Sequence, residues 1–406
     1  MAGSATEQPA RRWVLVVVAA GVMGAAGTYQ FVWTTLSGAV GARVGASPAA
    51  LGTVFTLFVV TQTLVQFPAG SIRDRYGPGV VLGVSSVCMF AGYAGLGLST
   101  TYPVAALAYA LGGAGSGMAY TVAVNTPVKW FTDRRGLAMG VVTTAFSAVS
   151  AALIPLVGAR IDASYTATLL ALGALVGGLG LLAAVVVRDP PKRTETADGR
   201  TETGQTVDVV ESVGWRTVLG TWQFWVLFWV MLIVNGVGLM LIGQSVGFTT
   251  GLGLSAGTAT VVASVVALAD ALGIIVMSTL SDRVGGERTV GVSLVLGGLS
   301  LGGAILTGLA GRPALFVLLV AGTAFFRSPV FAIFPSLVGE YYGRARSSEN
   351  YALVYAAKIP GGVFGGTVTG LLVARLGWSQ SFAVGAALLV LAGLSTLTLR
   401  QPTEES

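Results

Sequence analysis

The chain has 406 residues, 54% of them hydrophobic and 10% charged, with a mean hydropathy of +0.79. Soluble domains carry about a quarter charged residues, so water is excluded as the solvent for most of this surface. A net charge of +6 comes with no histidine and one cysteine, which leaves no means of building a disulfide framework, a thiolate metal centre or a histidine-based nucleophilic dyad.

A bilayer core about 30 Å thick needs roughly 20 apolar residues per helical crossing. Twelve such stretches are predicted, near 13–36, 49–70, 78–98, 103–125, 136–158, 166–187, 222–246, 257–280, 288–308, 313–339, 349–372 and 379–399. The first follows Arg11 and Arg12 and opens on Trp13. Its apolar run outlasts the about 7–15 residues of a signal-peptide core, so it reads as an uncleaved first helix. Cys88 is placed within the third span. The 58 glycines suit close helix packing in lipid. The long polar segment 188–221, RDPPKRTETADGRTETGQTVDVVESVGWRTVLGT, reads as a cytoplasmic linker. It separates an N-terminal six-helix bundle over 1–187 from a C-terminal six-helix bundle over 222–406. The fold class is an all-α membrane protein.

Cations set the orientation. With both termini in the cytoplasm, only Arg43, Arg160, Arg312 and Arg375 of the 23 Lys and Arg residues fall in outer loops, and two lie within spans. That bias satisfies the positive-inside rule. The positive charge therefore reports topology in a multi-pass cell-membrane protein, and no nucleic-acid partner is called for.

The halves repeat. GSIRDRYGPG (70–79) follows the second span, and STLSDRVGGER (278–288) follows the second span of the second half. Asp74, Arg75 and Gly77 thus match Asp282, Arg283 and Gly285, each set in a turn where glycine lets the chain reverse. With Gly70, the first set matches G-x-x-x-D-R-x-G, and the chain resembles the major facilitator superfamily. The resemblance implies two six-helix bundles rocking about a central site, with these loops steadying an outward-open state.

A narrower resemblance rests on NTPVKWFTDRRGLAMG (125–140), TWQFWVLF (221–228) and NYALVYAAKIPGGVFGG (350–366). These look like the oxalate/formate antiporter family and its monocarboxylate transporter relatives. The resemblance implies that Lys358, in the A-A-K element of helix 11, binds a substrate carboxylate. It also implies that Gln30, Phe31 and Tyr120 line the site from the first half, and that the carrier is a monomer without cofactor. The family's second arginine, on helix 8, is replaced here by Ile274.

The residues themselves lead to the same lysine. A charge at mid-span costs about 2.5–3.5 kcal/mol on insertion scales, so it normally faces a cavity or a partner. Lys358, Arg327 and Asp270 are three such ions, all in the second half. One reading is a plain ion pair between Asp270 and either cation. One carboxylate cannot neutralise two cations, so the surplus is relieved either by loss of the lysine's proton or by an arriving anion, and the reading taken is that a substrate carboxylate supplies the missing charge. Tyr351, Tyr355 and Lys358 share one helical face, as do Arg327, Phe331 and Phe334. Gln62, Gln66 and Asn125 lie in or at the edge of spans, where bonding to substrate and bonding between helices explain them equally well; Asn125, which opens the family stretch, is read as structural, and none is placed in the site. Asp270 is the candidate proton carrier, or else a structural counter-ion.

The expected function is alternating-access transport of small organic anions, foremost monocarboxylates of the lactate, formate or pyruvate type, with or without a proton. Oxalate/formate exchange, a facilitator-type drug exporter and a membrane anion sensor are the alternatives. No Walker pattern is present to support ATP-driven pumping, and no clustered carboxylates support an enzyme.

Overall fold

The computed structural model describes residues 4–130, 135–189, 214–343 and 347–400. In chain order, the first half holds α1 (Ser4–Phe31), α2 (Trp33–Val44), α3 (Pro48–Tyr76), α4 (Pro78–Leu98), α5 (Tyr102–Trp130), α6 (Arg135–Gly158) and α7 (Tyr165–Val186). There follow α8 (Trp215–Gly220), α9 (Trp222–Gly251), α10 (Ala256–Val284), α11 (Gly286–Leu309), α12 (Pro313–Arg327) and α13 (Val330–Tyr342). The last are α14 (Ser347–Tyr355), α15 (Lys358–Val363), a π-helical turn (Phe364–Val368), α16 (Thr369–Leu376) and α17 (Trp378–Thr396).

Local chemistry sets several of these ends. Ser47, Thr221 and Ser255 accept the backbone N–H three residues on, as N-cap hydroxyls do. Gly77 and Gly285 close α3 and α10 at φ +87° and +97°, conformations that side chains resist, so the two matched motifs end in matching turns. The predicted linker lies mostly outside the described residues. Its last part is not a tether: α8 is helical there, and Thr221 shares a 2.8 Å hydrogen bond with the Tyr342 hydroxyl.

Among the described residues eleven segments are long and apolar enough to cross a membrane. The remaining long helix, α5, has 29 residues but is diluted by glycine, serine and threonine. Those small residues buy proximity: a Cβ on Gly117 would sit 2.2 Å from the Gln62 carbonyl oxygen, so α3 and α5 pack backbone to backbone. In the first half α4 packs on α5 and α7, α3 on α5, and α1 on α5, α6 and α7. In the second, α11 packs on α12 and α17, and α10 on α9 and α12.

Helices of the two halves meet along α6 and α10, and along α3 against α15, the π turn and α16. At the membrane face opposite the chain termini the seam is closed. A Cβ on Gly52 would fall 2.4 Å from the Gly366 carbonyl oxygen. Thr56 donates to the Gly362 carbonyl at 3.2 Å and accepts the Thr367 N–H at 2.9 Å. Beside it Thr34 pairs with Ser245 at 3.3 Å and accepts the Val246 N–H at 3.0 Å. The Thr367 contact uses a backbone donor within the π turn, where an extra residue per turn redirects the ladder. Gly366→Val is expected to wedge this seam open: a cysteine introduced at Thr53 should react faster with a membrane-impermeant maleimide, and an unchanged labelling rate would count against the seam as a closure.

Candidate functional site

Prolines shape the two helices that carry the buried cations. Pro329 has no N–H for the Phe325 carbonyl, which takes the Ser328 hydroxyl instead at 3.1 Å, and the crossing breaks between α12 and α13. Pro360 likewise frees the Ala356 carbonyl, which takes the Ile359 N–H at 3.1 Å, and the next crossing breaks between α14 and α15. Arg327 is thereby the last residue of α12 and Lys358 the first of α15. A helix C-terminus favours a cation such as Arg327, whereas the N-terminus at Lys358 does not, so its ammonium depends on other partners.

Arg327 is bound to Asp270 through a salt bridge from its terminal nitrogen to the carboxylate. Both are buried, at 2% and 9% exposure. Small residues create the room: a Cβ on Gly273 would collide with the Phe325 carbonyl at 2.2 Å, and one on Gly238 with the guanidinium at 2.3 Å. The guanidinium carbon also lies 5.9 Å from the Phe331 ring centre. The helix break after Arg327 thus leaves its predicted neighbour Phe331 in place, whereas Phe334 is fully buried in the apolar core.

Lys358 is buried at 6% exposure and makes no ion pair among the described residues. Its ammonium donates to the Gln62 side-chain oxygen at 3.0 Å, reaching across from the second half to the first. Gln62 donates to Ser116 Oγ at 2.9 Å, and Ser116 donates to the Ala26 carbonyl at 2.9 Å. Gln62, left out of the site on the sequence because interhelical bonding explained it equally well, is therefore the polar partner of the central lysine. Only its polarity within an apolar span signalled it, since its partner lies in the other half of the chain. Gln66 and Asn125 bond within their own helices, to the carbonyls of Gln62 and Thr121 at 3.3 and 2.8 Å, and among the described residues not between helices.

Aromatic rings complete the surroundings. Lys358 Nζ is 5.7 Å from the Tyr355 ring centre, even though the helix breaks between the two residues. Tyr355 packs on Tyr351 at 5.8 Å and lies near Tyr120 of the other half. Tyr120 and Phe31 both pack edge-on to Phe146, at 5.7 and 5.9 Å. Phe146 was not singled out from sequence, because one phenylalanine in an apolar helix carries no distinguishing pattern. Gln30 is buried, and its side-chain oxygen has no hydrogen-bond partner.

The structure places the remaining candidates away from this centre. Gly70 is partly buried, and Arg75 and Arg283 are exposed at the termini face. The side chains of Asp74 and Asp282 lie outside the described residues. Arg73, beside Asp74, is buried and salt-bridged to Asp189 at 3.1 Å, a tie between α3 and the segment just after α7 that sequence reading missed. Ile274 is a partly buried residue of α10, and the cation nearest that helix, Arg327 of α12, is held by Asp270. Cys88 is partly exposed rather than buried.

The family model of the Major Facilitator Superfamily matches residues 18–254 and 235–406. The oxalate:formate antiporter of Oxalobacter formigenes is 30% identical over 386 residues, covering 95% of this chain and 90% of the relative. Among solved structures, the nucleoside transporter NupG superposes with a TM-score of 0.75 at 12% identity, over 94% of this chain and 99% of that one. A D-xylose-proton symporter gives 0.74 at 16% identity, over 96% and 98%. These structures share the fold, and the relatedness identifies a non-enzymatic secondary transporter. The chain belongs to the Major Facilitator Superfamily and, within it, to the oxalate/formate antiporter family.

Proposed function

We propose that this carrier moves small monocarboxylates of the formate, lactate or pyruvate type across the cell membrane by alternating access, with both termini in the cytoplasm and a monomer as the working unit. On this reading residues 1–187 and 222–406 are its two rocking bundles, joined by the linker 188–221. The Asp74-Arg75-Gly77 and Asp282-Arg283-Gly285 turns gate the termini face together with Gly70.

One observation carries the choice of substrate. Arg327 is neutralised by Asp270, while Lys358 is buried against a neutral amide. The centre therefore holds one unmatched positive charge, which one carboxylate satisfies. Tyr355, Tyr120, Phe331, Phe31 and Gln30 supply the walls. Oxalate/formate exchange, suggested by the name of the Oxalobacter relative, is the second reading. Ile274 and the occupied Arg327 speak against it, because a dicarboxylate needs a second free cation. Apolar cations, the cargo of a drug exporter, would be repelled by Lys358.

Purified protein in liposomes, loaded with formate, lactate, oxalate or nothing, tests the proposal through uptake of each labelled acid with and without an inward proton gradient. Formate or lactate uptake exceeding oxalate uptake is expected. Oxalate preference would overturn the monocarboxylate reading, and saturable binding without uptake would point to an anion sensor. A requirement for internal anion means exchange, with Asp270 a counter-ion; stimulation by the gradient into empty vesicles means symport.

A further inference from the structure

The chain of bonds behind Lys358 fixes what Gln62 offers it. Ser116 has one hydroxyl proton and gives it to the Ala26 carbonyl. Toward Gln62 its oxygen can only accept, so the amide must turn its NH2 to Ser116 and its carbonyl oxygen to Lys358. Close contact at Gly117 pins the backbone of Gln62 against α5, and the side chain is 1% exposed. An sp2 oxygen is thus held 3.0 Å from a buried ammonium, which is the position and geometry that one oxygen of a carboxylate ligand would take.

We propose that Gln62 is the resting occupant of Lys358, an internal stand-in that the substrate carboxylate displaces, and that it thereby sets the carrier's affinity for its anion. The inference rests on Lys358 being the carboxylate contact. A neutral amide satisfies the ammonium's hydrogen bond and leaves its charge unmatched, so an anion wins the exchange; a fixed acid in its place would not yield. The same bond joins α3 to α15, so displacement by substrate also releases a tie between the halves. Gln62 is on this account an affinity-setting residue, and Ser116 positions it.

Two measurements test this. In substrate-free, detergent-purified protein, thermal unfolding of wild type, Gln62→Leu, Lys358→Met and the double variant forms a cycle. The double variant's shift in Tm is expected to differ from the sum of the single shifts by several degrees, and additivity overturns the proposal. In proteoliposomes with labelled formate and lactate, Gln62→Leu is expected to lower KM roughly tenfold, the worth of one charge-assisted hydrogen bond. Gln62→Glu is expected to raise KM by at least about thirtyfold while keeping thermal stability. A raised KM in Gln62→Leu would make Gln62 a substrate ligand, and unchanged KM in both variants would make it a packing residue; either result refutes displacement. Failure of the underlying reading has its own signature: Lys358→Met transports with the wild-type KM while the thermal coupling persists, and the displacement claim then falls with it.

Discussion

Lys358→Gln is expected to abolish carboxylate uptake while the protein folds at least as well as wild type. Truncating one partner of a desolvated charge pair costs about 2–5 kcal/mol, or about thirtyfold to several thousandfold in affinity. Stability moves the other way, because the substitution removes an ammonium that is buried without an ion-pair partner among the described residues. Glutamine can still meet Gln62 by an amide–amide bond. Uptake and Tm measured on the same preparation separate the two effects. Wild-type uptake in a stable Lys358→Gln protein would remove the lysine from the site, whereas loss of both would make it a structural residue. Arginine is not expected to rescue, since its planar fork is larger and the turn that follows packs tightly. A Cβ on Gly361 would already lie 2.8 Å from Asn235 Cβ.

Asp270→Asn is expected to have the second large effect. It leaves the Arg327 guanidinium buried without a counter-charge, and breaking a buried pair from one side costs about 3–5 kcal/mol. Folded yield and Tm should fall, and Asp270→Asn combined with Arg327→Gln should restore most of the loss, since it removes both ions together. The surviving Asp270→Asn protein also holds two free cations. Its uptake of oxalate relative to formate should rise, which a purely structural pair would not produce. Stability restored in the double variant with no change in the oxalate-to-formate ratio would confine Asp270 and Arg327 to scaffolding.

These expectations show what one-dimensional reading can reach. Helices were legible because a bilayer demands long apolar runs, and the paired turns at Gly77 and Gly285 because a duplicated motif repeats in place. The three ions were legible because a charge within an apolar run stands out. Their pairing was not: Asp270 could have met either cation, and the choice of Arg327 depends on Gly273 and Gly238 letting α10, α12 and α9 come close. Gln62 and Phe146 lie still deeper in the same difficulty. Their partners belong to other helices, and the Gln62–Lys358 contact joins residues 296 positions apart, so no local period encodes it. The break before Lys358 was foreshadowed only by Pro360. The π turn at Phe364–Val368 had no sequence signature, because the glycines around it serve the contact with Gly52 and Thr56 equally well.

The lone ammonium has a consequence outside the binding site, in the electrical behaviour of the membrane. An elementary charge crossing the full bilayer field exchanges about 2.3 kcal/mol per 100 mV. On the proposed mechanism, with Arg327 and Asp270 cancelling, the empty centre keeps the charge of Lys358, and a bound monocarboxylate brings it to zero. Voltage therefore acts on the return of the empty protein and leaves the loaded passage almost untouched. On that mechanism a negative interior would draw the vacant site inward and oppose its outward swing, and the resting potential would select the side on which the vacant carrier waits.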